Sequence, residues 1–258
     1  MLLDELFNLS NKTAIVTGGG RGLGEIMAHA LADAGANVVV CSRDIDTCKA
    51  VSEALKQKGV QSLAFECDVT DPAQVEHVVN ETVAQFGTLD ILINNSGTSW
   101  IAPFTDLPAD KWDKVMAVNL KGTFLFSQAA AKVMTKQKSG KIINIASISG
   151  FGGTMDTFMN ATAYNTSKGA IMTFTKDIAV KLAPHNIQVN AIAPGFFPTK
   201  LSAPVLNHFS KKIIARTPLG RIGEPDDLKG ATLFLASNAS NYITGHILTL
   251  DGGATAVV

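Results

Sequence analysis

Tyr164 and Lys168 stand four residues apart in "AYNTSKGA", with Ser147 and Asn119 upstream. A tyrosine ionises only near pH ~10, so proton transfer at neutral pH needs a cation nearby to stabilise the phenolate. Lys168 meets that need, because residues i and i+4 of a helix share a face and a helix starting near Ala163 brings ammonium beside phenol. A glycine turn, "TGGGRGLG", lies near the front of the chain. Together these features point to hydride chemistry with a nicotinamide dinucleotide.

Such groups need a scaffold. Short β-rich runs alternate with longer helical patterns: "TAIVT" (13–17), "NVVVC" (37–41), "SLAFE" (62–66), "LDILIN" (89–94), "KIINIA" (141–146), "IQVNAIA" (187–193) and "HILTL" (246–250). Their nearly continuous apolar character fits parallel strands covered on both faces, so the pattern predicts a single α/β domain over 1–258, a doubly wound, Rossmann-type, seven-stranded parallel sheet. Gly35, Gly59 and Gly87 punctuate helix ends, and Asp71 before Pro72 reads as an N-cap with proline in the first turn. The least regular stretches, 96–109, 148–163 and 195–222, each follow a strand. In an open α/β sheet the ligand crevice lies there, so they form the expected substrate rim, with 195–222 as the substrate loop.

Gly18, Arg21, Gly22, Leu23 and Gly24 lie between the first strand and its helix, where glycine lets the backbone approach a pyrophosphate held at the helix N-terminus. The second strand ends in "CSRD", where an acidic residue would hold an unmodified ribose. Ser42 and Arg43 stand there instead. A guanidinium holds a ribose 2′-phosphate by parallel hydrogen bonds, and Arg21 is a second candidate cation, so NADP(H) is expected in preference to NAD(H). Asp44 keeps the alternative open: if the strand runs further, its carboxylate meets the ribose hydroxyls.

The chain has 258 residues, 46% hydrophobic and 17% charged, with 22 basic residues balancing 22 acidic ones. Net neutrality argues against a nucleic-acid partner. The amino terminus carries Asp4 and Glu5 where a signal peptide would be basic, and no apolar run nears the roughly 20 residues of a membrane span; a soluble, cytoplasmic protein without a membrane partner is expected. Cys41, Cys48 and Cys67 form no C-x-x-C pair, which fits a reducing compartment. The five histidines show no ligand spacing, so no metal site is read.

In order along the chain, "TGGGRGLG", Asp68 with Val69, "NNSG" (94–97), Asn119, Ser147, Tyr164 with Lys168, and "PG" (194–195) resemble the short-chain dehydrogenase/reductase family over essentially the whole length. The resemblance implies that Asp68 and Val69 meet the adenine, that Asn95, Ser96 and Gly97 line the cofactor, and that Pro194 and Gly195 approach the nicotinamide. It implies a catalytic tetrad of Asn119, Ser147, Tyr164 and Lys168. Tyr164 would exchange a proton with the carbonyl oxygen, Ser147 would polarise that oxygen, Lys168 would lower the Tyr164 pKa and hold the nicotinamide ribose, and Asn119 would anchor a water relay. Enoyl-reducing members have a wider Tyr to Lys separation, so a ketone/secondary alcohol couple is implied. A homotetramer built partly through the helices carrying Asn119 and Tyr164 is implied as well. Two departures stand out: Ser96 replaces the usual alanine, and Ser147 to Tyr164 spans 17 positions, longer than is common. The longer loop makes Ser149 a rival for the serine role, with Ser147 better placed at a strand end.

For the substrate, Trp100, Phe104, Phe151, Met155, Phe158, Phe196, Phe197 and Phe209 offer apolar surface, either as rim or as packing. Lys200, Lys211, Lys212 and Arg216 offer cations. "NNSGTSW" resembles reductases of 3-oxoacyl thioesters, including the rhamnolipid-pathway type, whereas "LFNLSNKTAIVTG" and "FLASNASNYITGHILTLDGG" resemble gluconate 5-dehydrogenases. The position of Trp100 favours a 3-oxoacyl thioester of acyl-carrier protein or CoA; a keto sugar acid is the alternative, and a non-catalytic nucleotide-binding protein the alternative of another class.

Overall fold

The computed structural model describes residues 2–155 and 157–257. Seven parallel strands, β1 (Thr13–Thr17), β2 (Asn37–Ser42), β3 (Ser62–Glu66), β4 (Ile91–Asn94), β5 (Gly140–Ile145), β6 (Ile187–Pro194) and β7 (Ile247–Leu250), form one sheet in the order 3-2-1-4-5-6-7. A short α1 (Leu3–Phe7) precedes β1; α2 (Gly22–Asp33), α3 (Ile45–Lys56) and α4 (Pro72–Phe86) connect the first four strands. Next come α5 (Ala109–Met116), a π-helical stretch (Ala117–Lys121), α6 (Gly122–Gln137), α7 (Thr162–Leu182), α8 (Ala203–Arg216) and α9 (Pro225–Ala236). Among the described residues no helix is long and apolar enough to cross a membrane.

The inner strands β1, β2, β4, β5 and β6 bury both faces, which explains their unbroken apolar runs, while β3 and β7 at the edges are only partly buried. Ala14, Val16, Val38, Val40, Ile91 and Ile93 pack with Leu31 of α2 and Leu228 and Leu235 of α9. Alternate residues Ile15, Val39, Leu92 and Ile142 meet Val75 and Val79 of α4 and Phe126 and Met134 of α6 on the other face. The Asp71 carboxylate caps α4 by accepting from the Ala73 N–H at 2.9 Å, and Gly87 ends that helix at φ +76°.

Several strand ends shift by one residue, and two departures from the sequence reading are larger. β4 begins at Ile91, because the Leu89 backbone is bonded by the Gln137 amide at 3.0 and 2.9 Å, and the Asp90 carboxylate accepts from Lys12 Nζ and the Thr13 N–H at 3.0 Å each. The stretch 195–222, expected to be irregular, contains α8: Pro204 presets its first turn, and Val205 and Ile213 bury one face.

Gly24 is where α2 meets the end of β1 most closely. A Cβ there would lie 2.2 Å from the Gly18 carbonyl oxygen and 2.5 Å from Asn95 Nδ2. Neither atom belongs to a flexible side-chain end free to move. Gly24→Ala is expected to lower the free energy of unfolding by at least about 2 kcal/mol, read as a reduced urea midpoint at unchanged slope.

Candidate active site

The direction of chain progression reverses between β1 and β4, and the expected site residues gather outside the carboxyl ends of those strands. Gly18 and Gly22 adopt left-handed φ of +63° and +59°, and the Gly18 N–H donates to the Cys41 carbonyl at 2.7 Å. The turn thus lies against β2, and α2 starts at its exit. Thr17, which the sequence reading left as a strand residue, is the joint: its Oγ1 accepts from the N–H groups of Asn95 and Ser96 at 3.0 Å each. Asn95 Nδ2 donates in return to the carbonyls of Thr17 and Gly18 at 2.9 and 3.2 Å. That amide therefore braces the glycine turn. A Cβ on Gly22 would face the Thr199 methyl at 3.6 Å, so the loop after β6 overhangs the turn. Thr199, a second residue the sequence reading passed over, is held by Ser202: its N–H donates to Ser202 Oγ at 2.9 Å.

Beside the turn, Arg21 and Arg43 are exposed. The Asp44 carboxylate accepts from the Thr47 N–H at 3.3 Å as the N-cap of α3. It is engaged with its own helix. Asp68 Oδ1 accepts from the Thr70 N–H at 2.9 Å and Oγ1 at 2.8 Å; these bonds, with a smaller contribution from Arg43, hold its carboxyl below the ordinary range. Val69 packs over Gly122, where a Cβ would come within 2.6 Å. Pro194 ends β6, and Gly195 lies so close to Asp251 that a Cβ would meet its Cα at 3.0 Å.

Ser147 follows β5 and is 8% exposed. Its hydroxyl lies near enough to the Tyr164 phenol to lower that group's pKa, whereas Ser149 donates its N–H to Ser147 Oγ at 3.2 Å and its residue lines a separate groove with Phe104, Phe151 and Asn165. Of the two serines, the structure brings Ser147 to the tyrosine. Lys168 lies one turn along α7 from Tyr164, with Nζ 5.6 Å from the centre of its ring and donating to the Ile145 carbonyl at 2.6 Å. Asn119 lies fully buried in the π-helical stretch; Oδ1 accepts from the Thr98 N–H at 2.8 Å, and Nδ2 donates to the Thr98 carbonyl at 3.0 Å and Ser167 Oγ at 2.9 Å. Both amide protons are thus spent on clamping the loop after β4 to α7. Gly97 lies between these groups, since a Cβ there would be 3.6 Å from Asn119 Oδ1 and 3.8 Å from Lys168 Nζ.

The Tyr164 pKa differs from the expectation. Burial pushes it up, opposed by the Ser147 hydroxyl, and Lys168, itself drawn down to about 8 by burial, does not offset this. The Lys168 ammonium donates to the Ile145 carbonyl, and its charge sits 5.6 Å from the centre of the ring.

The aromatic residues divide. Phe197 is core, with Gly223 beneath its ring. Trp100, Phe104, Phe151 and Met155 are exposed, with Lys111 Nζ 5.0 Å above the Trp100 ring. Phe158, from the long loop between Ser147 and Tyr164, meets Phe196 and Phe209 edge to face at centroid distances of 6.2 and 5.3 Å.

A family model described as enoyl-(acyl carrier protein) reductase matches residues 18–255. The chain is 37% identical over 258 residues to 5-keto-D-gluconate 5-reductase of Escherichia coli (strain K12), covering 99% of this chain and 100% of that one. The chain belongs to the short-chain dehydrogenase/reductase family. It is 36% identical over 246 residues to a 3-oxoacyl-(acyl-carrier-protein) reductase of Aquifex aeolicus (strain VF5), covering 95% and 98% of the two chains. A gluconate 5-dehydrogenase from Burkholderia cenocepacia J2315, crystallised with NADP and tartrate, superimposes with TM-score 0.94 at 36% identity, covering 100% of both chains. The protein is therefore an oxidoreductase of this family with a nicotinamide dinucleotide cofactor. The glycine cradle fits such a group, since the left-handed turn and the start of α2 present backbone where side chains would intrude.

Lys168 provides a physical check on the site. Its folded pKa of about 8 lies below the unfolded value of about 10.4, so the unfolded chain binds the extra proton between those values. The penalty for burying the charged form is complete below pH ~8 and is relieved as pH rises through the window. The stability of the protein relative to Lys168→Met is expected to rise by on the order of 1–3 kcal/mol between pH ~8 and ~10, measured by urea unfolding.

Proposed function

We propose that the protein interconverts a ketone and a secondary alcohol on a compact sugar acid, using NADP(H). Tyr164 transfers the proton at the carbonyl oxygen, Ser147 orients and polarises that oxygen, and Lys168 holds the nicotinamide ribose and favours the phenolate when charged. Asn119 fixes the loop after β4 against α7, and the remaining lone pair of its Oδ1 is the place for a water relay. Gly18, Gly22, Leu23 and Gly24 seat the pyrophosphate; Asp68 and Val69 flank the adenine; Asn95, Ser96, Gly97, Pro194 and Gly195 complete the cofactor wall. When bound, the dinucleotide supplies or accepts the hydride. Enoyl reduction is disfavoured by the four-residue spacing of Tyr164 and Lys168.

The observation that carries the substrate reading is the aromatic closure. Phe158 reaches from the long loop to Phe196 and Phe209, joining two of the three segments that border the site. A closed side favours a small polar substrate over a carrier-bound chain that needs a channel to solvent. The likeness over full length to 5-keto-D-gluconate 5-reductase supports the same reading. A 3-oxoacyl thioester is the second reading, favoured by the exposed apolar strip of Trp100, Ile101 and Phe104. For the cofactor, Ser42, Arg43 and Arg21 suit a 2′-phosphate, and the engagement of Asp44 with Thr47 supports the NADP preference. A homotetramer fits the exposed Phe124 on α6 and Val180 on α7, and a reducing, cytoplasmic setting fits three free buried cysteines.

With the purified protein, NADPH oxidation is expected with 5-keto-D-gluconate and little with acetoacetyl-CoA; the reverse result establishes the thioester reading. Tyr164→Phe is expected to bind NADPH normally while kcat falls at least about 100-fold, and near-normal turnover would remove Tyr164 from its role. Arg43→Leu is expected to lower kcat/KM for NADPH about tenfold or more and to change that for NADH far less, which a side-by-side titration of the two cofactors reads.

A further inference from the structure

The cations of α8 and the loop before it are not equivalent. Lys200, Lys211, Lys212 and Arg216 are all exposed, but among the described residues Lys212 is the one of the four whose charge sits over an aromatic ring, with Nζ 5.8 Å from the centre of Phe158. Phe209 and Lys212 are three residues apart and share a helix face, the one presented to the long loop. Among the described residues, none of the ion pairs includes Lys212. Its charge is held over an aromatic face and left without an anion.

That loop is anchored. The Thr154 hydroxyl donates to the Met159 carbonyl at 2.7 Å and accepts from Asn165 Nδ2 of α7 at 3.2 Å, and the Asn160 carbonyl accepts from the Ala102 N–H at 3.0 Å. The residues around Phe158 are therefore tied both to the helix carrying Tyr164 and to the loop after β4. The ring also lies near the reacting end of the sheet. β6 ends at Pro194, and Phe196, against which Phe158 packs, is two residues further, at the carboxyl end of the sheet where Ser147 also follows β5. The ring and the cation over it therefore belong to the segments that leave the sheet at that end.

Resting on the sugar-acid reading above, we infer that Lys212 is a specificity-determining residue, which receives the carboxylate of the substrate at the end remote from the reacting carbonyl. Phe158 serves as its platform: the ring fixes the ammonium without neutralising it, so an entering carboxylate finds an unpaired, oriented cation. The loop that lengthens the interval between Ser147 and Tyr164 then has a purpose, because it supplies that ring.

The test compares 5-keto-D-gluconate with 5-keto-D-fructose, which keeps the six-carbon chain and its C5 carbonyl but has no carboxylate. In Lys212→Met the ratio of kcat/KM for the anionic over the neutral substrate is expected to fall about tenfold, through KM, and in Lys212→Arg to recover in large part. Phe158→Leu is expected to lower the same ratio more weakly. Calorimetric binding of tartrate gives a readout free of turnover: its Kd is expected to rise about tenfold in Lys212→Met. An unchanged ratio together with unchanged tartrate binding overturns the inference while turnover of 5-keto-D-gluconate keeps the functional reading. A parent protein that binds tartrate through Lys212 yet reduces only acetoacetyl-CoA overturns the functional reading and leaves the anion site standing. A merely structural Lys212 would lower activity on both substrates alike, and that result also overturns the inference.

Discussion

Everything in the site depends on how two neighbouring strands that feed opposite halves of the sheet are joined at their carboxyl ends. The chain leaves β1 toward β2 and β3, then returns to lay β4 on the other side of β1, so a crevice opens between their exits. An open crevice leaves backbone donors without partners. The Thr17 hydroxyl takes two of them, from Asn95 and Ser96, while the Asn95 amide caps two carbonyls of the turn. Each such bond is worth about 1 kcal/mol net, but a buried donor left unpaired costs about 1–3 kcal/mol, so the joint is defended more by the penalty of breaking it than by its own strength. The glycine turn and the loop bearing Gly97 consequently move as one body.

A second, deeper set of polar contacts fixes the helices that carry the proposed catalytic residues. Asn94 Nδ2 donates to Ser127 Oγ of α6 at 2.9 Å and to Asn144 Oδ1 of β5 at 2.8 Å, and Asn144 Nδ2 donates to Thr175 Oγ1 of α7 at 2.9 Å. These side chains are all buried. Apolar packing alone would let α6 and α7 slide over the sheet at small cost, whereas a hydrogen-bonded stack in a dry interior has one register. Asn94 Oδ1 finds no partner among the described residues, a local cost of order 1–3 kcal/mol. The stack places Asn119 and Tyr164 relative to Ser147, with Ser167 bridging the first two through its bonds from Asn119 Nδ2 and to the Tyr164 carbonyl.

How much of this was legible in the sequence follows from the range of each interaction. Strands, helix caps and the pairing of Tyr164 with Lys168 are local, and period, turn residues and i,i+4 spacing reveal them. The seven apolar runs accordingly correspond to the seven strands. Boundaries shift where a distant side chain intervenes, as Gln137 does at Leu89. Thr17 and Ser167 look ordinary because their partners are distant in sequence or are backbone groups, as with Asn95 to Thr17, and residue type does not announce such partners; Thr199 looks ordinary because its approach to Gly22 joins segments far apart in the chain. The long loop was recognised as an excess of residues, but its purpose was invisible, because the meeting of Phe158 with Phe209 is a tertiary contact between two segments that separately read as irregular.

The electrostatics of the tyrosine and lysine connect these layers to catalysis. Burial moves the two pKa values apart from ordinary values that are nearly equal, raising the phenol and drawing the ammonium down to about 8, so each group is biased toward its neutral form. At neutral pH the phenol keeps its proton while the lysine, titrating near 8, stays mostly charged with little margin. Negative charge brought near Lys168, from phosphate or carboxylate groups of what the crevice holds, reverses the bias on the lysine, and a charged lysine then lowers the cost of the phenolate. Because the Ile145 carbonyl accepts from Lys168 Nζ, the ammonium is oriented before any ligand arrives. Water screening would weaken this coupling, and Lys168, at 4% exposure, is removed from water: a dry surrounding keeps the dielectric low enough for one charge to govern the next.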